Sequence, residues 1–368
     1  MTPPDARNSP IFRSANTPGF APLLESLSIT LLVTTYQAGK LMAVRGRNAR
    51  VSTLLRSFER PMGLALSPGR FALGTRNQVW IFQNAPDIAA QLESPGHDAC
   101  YLPRLAYFTG DIRGHELAWA GAELWIVNTF FSCLCVPDAA HSFEPRWHPP
   151  FLSRCAPGDA CHLNGLAVVD ERPRYATALG ESSEPQGWRE NKARGGILLD
   201  IDQDSVICRN LSMPHSPRWH DGKLWLLESG AGQLAAIDPK RGHKTTVAQL
   251  PGFVRGLAFL GPFAFVGLSR IRESAMLSGL PIAASGTELQ CGIWVVDLRT
   301  GAVAEYMQFQ AGVEEIFAVE ILHGARFPEI MGPQQDAAQS AFVIPSVPPP
   351  GDRTNQRRQR KKSRRGPQ

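Results

Sequence analysis

The chain has 368 residues, 43% of them apolar and 19% charged, which is enough apolar material for a large core and too much for a disordered polymer. Its net charge of +5 belongs to one end. Residues 351–368 hold eight basic side chains against one acid, leaving 30 basic and 32 acidic residues in the body, which excludes a nucleic-acid-binding body.

Taken in chain order, residues 1–20 read as a flexible arm, polar and dotted with proline. They show no basic-then-apolar leader, and no later run reaches the roughly 18–20 apolar residues that cross a bilayer. A cytoplasmic location with reduced thiols is the expectation for the seven cysteines, which include no Cys-x-x-Cys pair. From Ile29 to Tyr36 the chain reads as a strand, and Gln37-Ala38-Gly39-Lys40 as a turn into a second strand, Leu41–Val44.

A unit then recurs, its copies starting Met62-Gly63-Leu64-Ala65, His115-Glu116-Leu117-Ala118, Asn164-Gly165-Leu166-Ala167, His215-Ser216-Pro217-Arg218 and Arg255-Gly256-Leu257-Ala258. A degenerate copy, Glu314-Glu315-Ile316-Phe317, follows. Each start is followed by a second apolar strand and Gly- or Asp-Gly-type turns such as Asp221-Gly222. Recurrence at roughly 40–55 residues, with several strands per unit, predicts an all-β fold, a six-bladed β-propeller spanning residues 21–332. The first unit lacks the Gly-Leu-Ala strand, and the last has that strand alone. The N- and C-terminal strands are therefore expected to share the closing blade. Pro86–Gly110, with a short helix, and Pro137–Asp159 read as insertions on one face. Residues 333–368 read as a disordered basic tail, capable of weak anionic contacts and no specific nucleic-acid recognition.

Aligning the units on the Gly-Leu-Ala strand yields a column of Met62, His115, Asn164, His215, Arg255 and either Glu314 or Glu315. Inner strands converge on the propeller axis, so these polar side chains are expected around one channel mouth. His162, two residues before Asn164, is placed with them by strand alternation. His115, His162 and His215 are candidate ligands for a divalent metal (Zn, Mn, Fe or Ca), with Asn164 and Glu315 in support. The other reading of the same ring is hydrogen bonding across a wet channel. Arg60, Arg218 and Arg255 are placed to hold an anionic group, while Arg270 and Arg272 read as ordinary ion-pair partners. Turn residues Asn128 and Glu228 are further candidates for ligand contacts at the rim. No Gly-x-Ser-x-Gly elbow and no phosphate-binding Gly-Lys-Ser/Thr loop is present.

Several strings carry a resemblance: Leu-Trp-Ile-Val-Asn-Thr-Phe-Phe-Ser-Cys-Leu-Cys (124–135), Ser-Phe-Glu-Pro-Arg-Trp (142–147), Cys-His-Leu-Asn-Gly-Leu-Ala (161–167), Met-Pro-His-Ser-Pro-Arg-Trp (213–219) and Pro-Gly-Phe-Val-Arg-Gly-Leu-Ala-Phe (251–259). Together they resemble a bacterial family catalogued as a domain of unknown function and regarded as a six-bladed propeller, from about Phe12 to Glu329. That resemblance implies an Asp where Ala318 stands and an Arg where Ala160 stands, so this chain departs from the pattern at both. Asn164 to Ala167 and Ser216 to Trp219 also look like strands of gluconolactonase-type and lyase-type propellers, whose channel metals act on lactones or hydroxyglycines.

The expected function is binding of a small polar or anionic ligand at the channel mouth. Metal-dependent hydrolase or lyase chemistry is attached to it, with Arg255 and Glu315 as catalytic groups. The competing expectation is a non-catalytic scaffold for a peptide or partner protein, using Pro137–Asp159 as contact surface.

Overall fold

The computed structural model describes residues 12–92, 96–270 and 278–345. The basic run, Arg272 and residues 1–11 of the expected arm lie outside them.

Strand β1 (Arg13–Asn16) and helix α1 (Phe20–Leu27) precede β2 (Ile29–Thr35), β3 (Lys40–Arg47) and β4 (Arg50–Ser57). Blade two contains β5 (Leu64–Ser67), β6 (Arg70–Gly74), β7 (Gln78–Asn84) and β8 (Cys100–Phe108). Blade three contains β9 (Gly114–Ala120), β10 (Glu123–Asn128), β11 (Cys133–Val136) and β12 (Glu144–Trp147). Blade four is β13 (Leu163–Val169), β14 (Arg172–Ala178), β15 (Gly196–Asp200) and β16 (Ser205–Leu211). Blade five is β17 (Pro214–His220), β18 (Lys223–Glu228), β19 (Gln233–Asp238) and β20 (His243–Gln249). Blade six is β21 (Phe253–Leu260), β22 (Phe263–Ser269), β23 (Gly292–Asp297) and β24 (Ala302–Ala311). The chain then supplies β25 (Ala318–His323) and a two-residue strand, β26 (Glu329–Ile330).

Strand β25 pairs antiparallel with β2, from Ile29 opposite His323 to Thr34 opposite Ala318, so blade one runs β25-β2-β3-β4. This is the shared closing blade expected from the complementary half-repeats. The first strand of every blade touches the first strand of the next, in the cycle β5, β9, β13, β17, β21, β25 and back to β5. Those six strands therefore surround the axis. The core is distributed between blades. Leu32, Leu41, Leu64 and Phe71 fill one junction, Ala65, Leu117 and Ile126 the next, and Val127, Leu163 and Ala176 the one after. Each blade buries both faces against neighbours, which is why its central strands are apolar at nearly every position.

Three expectations are corrected here. Residues 13–20, read as part of an arm, supply β1, which extends blade six beyond β24, and the start of α1, whose Phe20 and Leu24 are fully buried. Pro86–Gly110 contains the expected short helix, α2 (Pro86–Ala89), and also β8; Pro137–Asp159 contains β12. Each stretch holds the fourth strand of its blade, β12 mostly exposed and β8 buried only at Cys100–Leu102, and neither shows apolar alternation, so they read as insertions. Past residue 332, a short helix, Asp336–Ser340, brings Ala338 and Ala341 against Cys100 and Leu102.

The recurring Gly has a steric cause. A Cβ on Gly165 would lie 2.3 Å from Pro217 Cδ of the neighbouring inner strand and 2.4 Å from Thr177 Oγ1. On Gly256 it would lie 2.7 Å from the Val319 nitrogen, and the backbone there has φ +82°. Hydroxyls then fasten one blade to the next. Thr34 Oγ1 donates to Met62 O at 2.6 Å, Thr129 Oγ1 to Leu163 O at 2.6 Å and Ser269 Oγ to Ile316 O at 3.1 Å, and Ser229 Oγ donates to Val254 O. Each bond joins a second strand, or the turn just after it, to the entry of the next inner strand. Thr129 and Ser229, next in sequence to the rim candidates Asn128 and Glu228, thus serve as fasteners between blades.

Gly165→Ala is expected to lower stability by about 1–3 kcal/mol, the usual cost of forcing an extra carbon into a packed site. Gly114→Ala is the control, because its added carbon would sit 3.5 Å from Ile126, an ordinary contact. Urea unfolding of both variants checks this; equal midpoints would mean that inner-strand spacing does not dictate the Gly.

Candidate active site at the channel mouth

Four inner strands carry a bulge at the polar column. His115 and Glu116 together face a single residue of β10, and Asn164 is extra between Leu163 and Gly165. Register also shifts between His215 and Arg218 and between Val254 and Leu257. A bulge bends the strand and re-aims its side chains, here toward the axis. Two positions before the column residue, Arg60, Arg113, His162 and Met213 all take the left-handed conformation, with φ of 48–52°. That conformation turns the chain into each inner strand. His162 reaches the channel by this turn, ahead of β13, and not by strand alternation.

His115, His162, His215, Arg255 and Glu315 line one cavity of about 130 Å³, with Trp188, Arg189, Met213, Phe253 and Ser269 among its walls. The His115 ring centroid lies 5.0 Å from that of His162 and 5.7 Å from that of His215. Arg255 Nη2 donates to His115 Nε2 at 2.6 Å, and the guanidinium carbon sits 3.2 Å from the centre of the Phe317 ring. Arg255 Nη1 lies 3.6 Å from Glu315 Oε1.

These contacts set the protonation states. An Arg only donates, so the neutral His115 carries its proton on Nδ1. His215 Nδ1 faces Met213 O at 2.9 Å and Ser229 Oγ at 2.8 Å, which puts its proton on Nδ1 and leaves Nε2 as an acceptor. Burial, and after it the Arg255 charge, holds both imidazoles well below their ordinary value. Burial also lowers Arg255 to about 10, which still leaves it charged at neutral pH.

The match to a family model, "Domain of unknown function (DUF4915)", covers residues 18–331. The chain belongs to this family. No curated protein matches the DUF4915 chain. Among solved structures, one titled "Crystal structure of Nidogen/Laminin Complex" aligns with a TM-score of 0.49 and 9% identity, covering 81% of this chain and 99% of that one.

The expected three-histidine donor set is incomplete in this structure: the His115 Nε2 lone pair is taken by the Arg255 cation, while Nδ1 contacts with Asp159 and Met213 orient His162 and His215 and leave their Nε2 lone pairs as donors. Among the described residues, no group of three or more His, Cys, Asp or Glu side chains is arranged to hold a metal ion. The ring exists, and its hydrogen bonds run across the channel.

The remaining expected residues are dispersed. Asn164 is buried, donating to Pro214 O at 3.0 Å and accepting from Thr177 Oγ1 at 2.7 Å. Asn128 Oδ1 accepts from Phe131 N, and Glu228 is held by the Ser212 amide and Lys244. Arg60 is exposed beside Tyr36. Arg270 contacts Leu289 O. Arg218 lies below the cavity, paired with Glu116 and, at 3.0 Å, with Glu320. Glu116 and Arg218 line a small void of about 10 Å³ together with Asn164 and Arg255. Trp188, Phe317 and Asp159 were not singled out from the sequence. Only the i, i+3 spacing of Asp159 and His162 offered a signal.

Burial, reinforced by Glu116 and opposed by Arg218, raises Glu320 to about 7. A carboxyl whose folded value exceeds its unfolded one contributes stability at acid pH, and that contribution is lost as pH rises through about 7. His115 and His215 act in the opposite sense: their contribution is present above about pH 6.5 and lost below it. Glu320→Gln removes the carboxyl and leaves the imidazoles. Between pH 7 and 5 its stability is expected to fall more steeply than wild type, by up to about 1.4 kcal/mol per pH unit. Urea midpoints across that range check this; parallel profiles would show Glu320 ionised in the folded protein.

Proposed function

We propose that the channel mouth of this propeller binds a small anionic molecule, with a carboxylate as the group that Arg255 receives. The observation that carries this reading is a buried guanidinium at the wall of a cavity of about 130 Å³, with neutral imidazoles beside it. A cation with one nitrogen committed to His115 and the other 3.6 Å from Glu315 retains hydrogen-bonding capacity that an incoming carboxylate can take. Arg189 adds a second positive group to the lining, and Trp188 and Phe253 supply apolar walls. The neutral imidazoles avoid the charge crowding that protonated ones would create. No step through a metal is derived from this donor set.

Thermal unfolding in the presence of pyruvate, glycolate or inorganic phosphate tests the reading. At least one is expected to stabilise the protein saturably, by about 2.7 kcal/mol at a hundred times its dissociation constant. Arg255→Gln is expected to weaken that binding tenfold or more. Absence of stabilisation by all three, or equal binding to Arg255→Gln, overturns it.

A further inference from the structure

The cavity holds a second arrangement, distinct from the anion anchor. His162 Nδ1 lies 3.0 and 3.1 Å from the two carboxylate oxygens of Asp159, whose side chain is only 2% exposed. Arg113 Nη1 approaches the same carboxylate at 3.4 Å, and the Asp159 backbone is fixed on both sides, N–H to Phe130 O and C=O from Gln186 N. The Trp188 ring packs on the imidazole with centroids 4.5 Å apart, and Arg189 covers Trp188 from 4.4 Å. Nε2 of His162 makes no hydrogen bond among the described residues, on a ring that lines the cavity. The residue is held at φ 52°, an uncommon conformation for a side chain other than Gly, Asn or Asp.

An imidazole oriented through Nδ1 by a buried carboxylate, with Nε2 left toward a cavity, is equipped to accept a proton. The walls also say which chemistry is missing. Among the described residues, Ser269 is the one hydroxyl side chain of the cavity lining, engaged in donating to Ile316 O and accepting from Ile316 N at 3.0 Å, and no cysteine lines it. That lining favours proton transfer over covalent acyl transfer through a hydroxyl or thiol.

We propose that His162 is the catalytic base of the channel-mouth site, with Asp159 as its positioning residue. The substrate class is a small carboxylate bearing an acidic C–H beside a carbonyl. This rests on the anion-binding reading above. Nε2 of His162 takes the proton from carbon, the C–H electron pair forms a carbon–carbon double bond, and the C=O π pair moves onto oxygen to give an enolate. The imidazolium that results stays hydrogen-bonded to Asp159, and the negative charge develops within reach of Arg255. Return of the proton to carbon regenerates both groups, so no oxidant or co-reactant is consumed.

Two measurements on the full chain test this. In D₂O, ¹H NMR of pyruvate is expected to show loss of the methyl signal faster with wild-type protein than in buffer. His162→Asn, which keeps a residue tolerant of the left-handed backbone, is expected to slow that exchange by about 100-fold or more at saturating pyruvate. Asp159→Asn is expected to slow it less, and Arg255→Gln to act on affinity. Pyruvate binding that is sensitive to Arg255→Gln, without exchange or with exchange unchanged in His162→Asn, overturns the base and leaves the binding reading intact. If pyruvate fails to bind, the proposed substrate class falls. Independently, diethyl pyrocarbonate with peptide mapping is expected to label His162 ahead of His115 and His215; slower labelling of His162 overturns the proposal without any ligand.

Discussion

Close approach of six inner strands around one axis is the constraint on which this molecule depends. Where the strands touch, a side chain must vanish, as at Gly165 against Pro217 and Gly256 against Val319. At the same height the backbone bulges and sends the neighbouring side chain into the channel, as at His115 and Glu116 and at Asn164. Hydroxyls from Thr34, Thr129, Ser229 and Ser269 then hold successive blades in register. The polar lining of the axis is thus a by-product of how the ring closes, available for chemistry because the bulges aim it inward.

Electrostatics sort that lining into two levels. At the mouth, the retained Arg255 charge sits beside neutral His115 and His215, because burial and Arg255 together disfavour protonating them. Below it, Arg218 binds Glu116 and Glu320, and burial makes a second full carboxylate charge costly there. Glu116 and Arg218 of the lower level share a void of only about 10 Å³ with His115, His215 and Arg255 of the mouth. No helix among the described residues is long and apolar enough to cross a membrane.

Much of the fold was legible in the residues, because a repeat announces itself and the half-repeats at either end are complementary. The column was legible for the same reason: equivalent positions of equivalent blades share a height. Outermost strands were not, since Glu144–Trp147 is mostly exposed and alternates nothing, and Cys100–Phe108 is hidden behind a helix and a long connection. Charge pairing escaped in part because bulges break the two-residue period, so sequence spacing alone does not say that Glu116, Arg218 and Glu320 meet. Partners from connecting segments escaped most completely. Asp159 and Trp188 lie outside the repeated strands, and only the folded chain brings them to His162. Nor does an alignment of histidines contain the contact by which Arg255 occupies His115 Nε2.

The most direct measurement is a double-mutant cycle between His115 and Arg255, residues 140 positions apart in sequence that meet only if the bulged strands converge on the axis. Unfolding free energies of wild type, His115→Ala, Arg255→Gln and the double variant isolate their interaction. The expected coupling is about 1–2 kcal/mol, within the range for contacting buried polar groups. Additive effects, with coupling indistinguishable from zero, would contradict a shared polar hub at the channel mouth.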